Sequence, residues 1–173
     1  MSSKPRILTA AFLAALAAPS PAETPAAVPN PRAAFDQLKT LAGQWQGSVE
    51  KPDGPVATVT YEVTGGGTAV MEKLFPGTAH EMLSVYFMDG NDLVLTHYCA
   101  MANQPKMKLV KTTANPMTLT FDFAGGTNFD PAKDTHIHSG SIRILAADRV
   151  EADWSVYSQG KPAGSNKFFL ARK

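Results

Sequence analysis

The chain has 173 residues, 44% of them hydrophobic and 18% charged, with a formal net charge of +1. Such a size and apolar share suit a single domain with a full core, and near-neutrality without a basic cluster argues against nucleic acid or an anionic membrane surface as partner. A single cysteine, Cys99, excludes an internal disulfide, so stability has to come from packing.

Lys4 and Arg6 precede an apolar run from Ile7 to Ala18, and Ser20-Pro21-Ala22 supplies small residues at cleavage-site spacing. This pattern predicts a secretory signal peptide over residues 1–22. A membrane anchor would need about 20 apolar residues, and this run is shorter and soon broken by Pro19 and Pro21. The expected product is exported, periplasmic or extracellular, with no membrane insertion after signal cleavage. Residues 23–31 read as a disordered tether rich in proline and alanine, and 32–173 as the barrel domain. At the junction, Asn30 suits an N-cap and Pro31 a first helical position. Phe35, Leu38, Leu41 and Ala42 then recur at helical spacing before Gly43 stops the run.

From Gln44 onward the apolar period changes to two. Ten strands are predicted, at about Gln44–Lys51, Val56–Thr64, Thr68–Phe75, Glu81–Met88, Leu93–Met101, Lys106–Thr113, Met117–Phe123, His136–Leu145, Arg149–Tyr157 and Ser165–Arg172. Pro52-Asp53-Gly54-Pro55, Gly65-Gly66-Gly67, Asp89-Gly90-Asn91-Asp92, Gln104-Pro105, Asn115-Pro116 and Gln159-Gly160-Lys161-Pro162 mark turns between them. Short links between consecutive strands favour a meander, and closing a meander removes its exposed edges. The expected fold is all-β, an antiparallel up-and-down barrel of about ten strands preceded by one short N-terminal helix.

The segment "FDQLKTLAGQWQG", followed by the meander and ending in "FFLARK", resembles the calycin superfamily, which includes lipocalins, fatty-acid-binding proteins and nitrobindin-like barrels. The resemblance implies that Trp45, in Gly43-Gln44-Trp45, plugs one end of the barrel and that Arg172 covers it, a structural role. A guanidinium across an indole face also makes physical sense as a cation–π contact. Nitrobindin-like haem barrels carry a proximal histidine near the C-terminus, and "GSNKFFLARK" offers none, so haem is not expected. The segment "DTHIHSGSIRI", with Trp154 and the C-terminal strand, is also similar to uncharacterised secreted barrels of this class.

The stretch "LVLTHYCAMANQPKM" places His97, Cys99 and Met101 at alternate positions. If Gly90-Asn91 forms a two-residue turn, Tyr86 faces Leu95, Ser84 faces His97 and Met82 faces Cys99. One strand face then carries Met82, Ser84, Tyr86, Met88, Leu95, His97, Cys99 and Met101 as candidate ligand lining. The other face, with Leu83, Val85, Phe87, Val94 and Tyr98, is apolar too. Parity alone does not say which face points inward, and a homodimer would account for a strand pair apolar on both sides.

His97, Cys99 and Met101 are ligand types that suit copper. Alternate residues on a strand lie roughly 7 Å apart, too far to share one ion, so no metal site is assigned. Nothing near Cys99 marks an activated thiolate. His136 and His138 share a strand face beside the longest loop, Gly125 to Thr135, and join the candidate ligand residues, although a solvent-exposed strand entrance is the ordinary reading. Arg143 is expected to pair with Glu151 or Asp153. Glu62 and Glu72 read more readily as surface carboxylates than as interior ones. The function expected is binding of a small, mostly apolar molecule inside the barrel. The alternatives are an enzyme using a histidine acid or base in that cavity, or a solid-core interaction module.

Overall fold

The computed structural model describes residues 30–173; the expected signal peptide and nearly all of the tether lie outside the described residues. Asn30 accepts a hydrogen bond from the Ala33 backbone N–H at 3.1 Å and caps helix α1, Pro31–Lys39. Pro31 occupies the first turn, where its missing N–H costs nothing. Ala34, Phe35 and Leu38 are buried on the inner side of this helix, as is Leu41 just beyond it.

Ten strands follow: β1 Gly43–Val49, β2 Val56–Thr64, β3 Ala69–Leu74, β4 Met82–Asp89, β5 Asp92–Tyr98, β6 Gln104–Ala114, β7 Met117–Thr127, β8 His136–Ala146, β9 Arg149–Ser158 and β10 Lys161–Arg172. Each pairs antiparallel with its sequence neighbour, and β1 pairs with β10 to close the barrel. The fold is therefore the all-β antiparallel barrel with one short helix at its N-terminal side. The helix covers the end where β4 turns into β5 and makes its contacts with β2, β4 and β5. This is the closed end; the loops after β1, β3, β5, β7 and β9 lie at the other, open one.

The β4–β5 register follows from the Gly90-Asn91 turn, pairing Ser84 with His97, Tyr86 with Leu95 and Asp89 with Asp92. The face carrying Leu93, Leu95 and His97 is the buried one. Opposite it, Tyr98 is exposed and Val94 half-buried.

Two turns differ from the sequence reading. Gln104 and Pro105 begin β6, where a bulge between Pro105 and Met107 tolerates the missing proline N–H. The reversal instead spans Cys99 to Asn103, closed by the Cys99 N–H on the Asn103 carbonyl at 3.0 Å, and β5 stops at Tyr98. The β9–β10 link is the tight pair Gln159-Gly160, both at positive φ. As a result β10 starts at Lys161, and Pro162 sits beside a second bulge.

The barrel wall is not uniform. β5 and β6 pair only through Val94–Thr96 and Lys106–Lys108. β7 pairs with β8 only from Met117–Phe121 to Gly140–Ile144, and the two strands run on toward the open end without pairing to each other. Position 140 favours glycine, because a Cβ there would run into the Trp154 ring. The indole lies directly over that backbone.

Candidate functional site

Four strands bring a buried polar network together inside the barrel. Glu72 of β3 is only 2% exposed, which corrects the surface role read from sequence. It shares parity with Val70 and Leu74, both buried, and so cannot leave the interior without turning the whole strand over. The Tyr61 hydroxyl donates to Glu72 Oε1 at 2.6 Å and the Tyr86 hydroxyl to Oε2 at 2.7 Å. Burial raises the Glu72 carboxyl pKa, while hydrogen bonds from Tyr61, Tyr86 and Ser84 pull it back. Burial, and the carboxylate beside them, hold both phenols well above their ordinary value. A buried carboxylate with a hydroxyl donor on each of its oxygens is a satisfied one.

In the same cross-strand row as Glu72, Ser84 Oγ lies 3.0 Å from His97 Nδ1. Burial lowers the His97 pKa to about 4, so the imidazole is neutral at neutral pH. Its other nitrogen, Nε2, is buried and has no hydrogen-bond partner. His97 borders a cavity of about 30 Å³ lined also by Ser84 and by Leu74, Met82, Met107, Ile137, Trp154 and Phe168, with Asn166 beside them. Asn166 is exposed and Met82 half-buried, which places the opening at the barrel mouth. A space of this size holds one or two waters or a few heavy atoms. The buried core includes the Tyr86–Phe121 edge-to-face pair.

Of the residues singled out on β4 and β5, Met82, Ser84 and His97 border the cavity. Tyr86 and Leu95 lie buried in the core below it, and half-buried Met88 packs against that core near the closed end. Cys99 Sγ sits 4.0 Å from Met82 Sδ, and Met101 is 47% exposed in the turn that follows. Among the described residues no group of three or more His, Cys, Asp or Glu side chains could hold a metal ion.

His136 and His138 form a second cluster. His136 is fully buried, unlike the solvent-exposed strand entrance read from sequence. Its Nδ1 meets the Asp134 carbonyl at 2.9 Å and its Nε2 meets His138 Nδ1 at 3.0 Å. A carbonyl can only accept, so His136 Nδ1 carries a proton and donates it to Asp134. The His138 ring is sandwiched between Phe123 and Tyr157, each inclined to it by 13°, with centroids 4.6 Å and 3.8 Å away. Burial and the neighbouring His136 lower the His138 pKa, against Asp122, which raises it. With Phe129, 4.7 Å from the His136 ring, the cluster fills the stretch where β7 and β8 no longer pair. A bulge between Ile137 and Ser139 offsets the alternation of β8 here, so that Ile137 lines the cavity while its two histidine neighbours stack in the cluster. Asn103, also buried, ties the β5–β6 turn to this edge through its Nδ2 donor on the Thr135 carbonyl at 2.8 Å.

At the opposite end Arg172 lies 4.3 Å over the Trp45 ring. Its guanidinium donates to the carbonyls of Ala42, Thr40 and Ala147 at 2.7, 2.9 and 3.0 Å, and Trp45 Nε1 donates to Leu41 at 2.8 Å. Three of those carbonyls lie at or just past the C-terminus of α1, where helix carbonyls lack partners of their own. Gly43 leaves room for this arrangement, since a Cβ there would meet Arg172 Nη1 at 2.8 Å. On the outer wall Arg143 pairs with Glu151 at 2.7 Å.

Sequence reasoning missed the Glu72 network and the cavity walls from β6, β9 and β10. The signal available for Glu72 was its parity with Val70 and Leu74.

No protein-family model matches the chain, and no curated protein does. Among solved structures, it is similar to a protein of unknown function from the DUF3598 family of Nostoc punctiforme, with a TM-score of 0.52 and 13% sequence identity. The likeness covers 79% of this chain and 49% of that one, so the chain spans about half the length of that structure. What the likeness establishes is the architecture, a ten-stranded antiparallel barrel resembling a DUF3598 family protein of unknown function.

Proposed function

We propose that this is an exported, calycin-like barrel that binds a small, mostly apolar ligand in the cavity at its open end. The observation that carries the reading is the unpartnered Nε2 of His97, a residue that lines a mostly apolar cavity. Buried polar atoms in folded proteins nearly always have partners, and a cavity combining apolar walls with one directed polar group is how small-molecule sites are built. The volume keeps the ligand small. Met82 and Met107 are the walls able to move, because an unbranched thioether adapts its shape at low cost. Binding is favoured over catalysis because an imidazole with a pKa of about 4 is a weak general base at neutral pH.

Native mass spectrometry on protein secreted through its own N-terminal segment tests the proposal. A retained adduct that disappears on denaturation, and is absent from the cavity-filling variant Ile137→Phe, is the expected result. Removal of the N-terminal segment near Ala22 would appear in the same spectrum. A bare mass for the wild type, together with equal thermal stability of both proteins across a panel of small apolar compounds, would overturn the binding reading.

A further inference from the structure

Between β7 and β8 the barrel wall is closed by side chains instead of backbone hydrogen bonds. β7 stays paired to β6 as far as Thr127, and β8 to β9 from His136, but past Phe121 and Gly140 the two strands no longer pair with each other. The Phe123–His138–Tyr157 stack, one ring from each of β7, β8 and β9, fills that seam, with both flanking rings inclined by only 13° to the imidazole. His136 is buried and joined to His138 through the 3.0 Å contact of its Nε2 with the His138 Nδ1. We infer that this pair of histidines is an acid-operated latch: the seam stays shut while the pair carries at most one positive charge, and opens when the pair is forced to carry two.

The limit of one charge follows from the geometry, whichever ring takes the first added proton. His136 Nδ1 donates to the Asp134 carbonyl at 2.9 Å, and the contact between the two rings holds a single hydrogen. The pair therefore has three places for protons: His136 Nδ1, the shared contact, and His138 Nε2. Two protons make a neutral pair and three a singly charged one, with both hydrogen bonds intact. A fourth sets N–H against N–H across 3.0 Å and puts two cations in rings whose centroids are 5.3 Å apart. One ring then has to leave. His136 is fully buried and tied to Asp134, whereas His138 is only half-buried, so His138 swings out to water and the stack loses its middle ring. The ionisable groups around the pair do not lift the limit. Asp122 on β7 raises the His138 pKa and so favours the first charge. In the loop, Asp130 holds Lys133 at 2.9 Å, and Asp134 Oδ2 accepts from the Asp130 N–H at 2.8 Å. Tyr157 on β9 stacks on His138. Asn103 on the Thr135 carbonyl, and the Gln159 N–H on the Lys133 carbonyl at 3.2 Å, anchor the loop independently of the histidines, so the opening is local.

The test follows the histidine ring resonances of ¹⁵N-labelled protein from about pH 8 to about pH 4, together with the ring-to-ring NOEs from His138 to Phe123 and Tyr157. The expected result is two proton uptakes by the pair, separated by more than about one pH unit. The NOEs should survive the first and vanish at the second, while those of Trp45 at the closed end persist. His138→Phe keeps a ring in the stack and removes the second charge. Amide exchange at residues 136–139 should then stay unchanged on acidification, where the wild type accelerates about tenfold or more. His97 titrates at the acid end of the same range, so His97→Gln is the control and should open as the wild type does. A single joint uptake by both histidines, or NOEs that outlast the second proton, would overturn the latch. Loss of the NOEs only together with those of Trp45 would overturn it too, because acid would then be melting the whole barrel.

Discussion

The two ends of the barrel treat their polar groups in opposite ways. At the closed end, the Arg172 guanidinium and the Trp45 indole N–H all find carbonyl acceptors, three of them around the C-terminus of α1. At the open end His97 Nε2 and Asn103 Oδ1 are buried without partners, and the β7–β8 ladder stops short. The closed end pairs the polar groups it buries, and the open end leaves two buried polar atoms without protein partners. A fold that spent its polar groups evenly would have no such division.

The largest effect expected from breaking the comparison is at the closed end. Trp45→Ala removes a fully buried indole and the surface beneath Arg172, and should cost about 3–5 kcal/mol in urea unfolding. In protein that remains folded, affinity at the open-end cavity should hardly change. An equal loss of affinity would mean that the ends are coupled.

Acid titration sharpens the comparison next. The folded-state pKa of His97, about 4, lies below the ordinary value, so the unfolded chain takes up its proton first. The stability tied to the neutral ring is complete above pH about 6.5 and is lost as the pH falls to about 4, at most about 3 kcal/mol in all. Glu72, with its pKa raised, works the other way, since protonation on acidification relieves its burial. The difference between wild type and His97→Gln therefore isolates the histidine. The variant should show the flatter profile between those pH values.

Gly140→Ala should cost about 1–3 kcal/mol by overpacking, because the new Cβ meets the Trp154 ring. It should also change Trp154 fluorescence and weaken binding in the cavity that Trp154 lines. Smallest of all, Arg143→Ala removes an exposed ion pair on the outer wall and should alter stability by less than about 1 kcal/mol, with no change at either end.

Much of the architecture was legible because it follows from local chemistry. Asn30 and Pro31 state the helix start, and Gly90-Asn91 fixes a hairpin whose register places Ser84 opposite His97. Legibility failed where non-local packing overrode a local signal. Pro105 looked like a turn, but β6 carries it at a bulge. Glu72 looked like a surface residue because a single strand pattern cannot show that Tyr61 and Tyr86, on two other strands, deliver hydroxyls to it. The bulge beside Ile137 similarly divorces His136 and His138 from the cavity side of their own strand. Bulges are set by how neighbouring strands fit, and a single sequence does not announce them.

The seam between β1 and β10 carries a consequence for the order of folding. Every other strand pairing joins neighbours along the chain and closes a short loop, while this one brings Trp45 to Arg172 across most of the domain. Loop-closure entropy makes the long pairing the slowest to form. The two tryptophans lie on opposite sides of that divide. Trp154 is housed among β8, β9 and β10, whose hairpins assemble locally, whereas Trp45 gains its cover only when the circle is completed. In refolding, the signal from Trp154 should develop first, and that from Trp45 should mark the moment at which a curled sheet becomes a barrel.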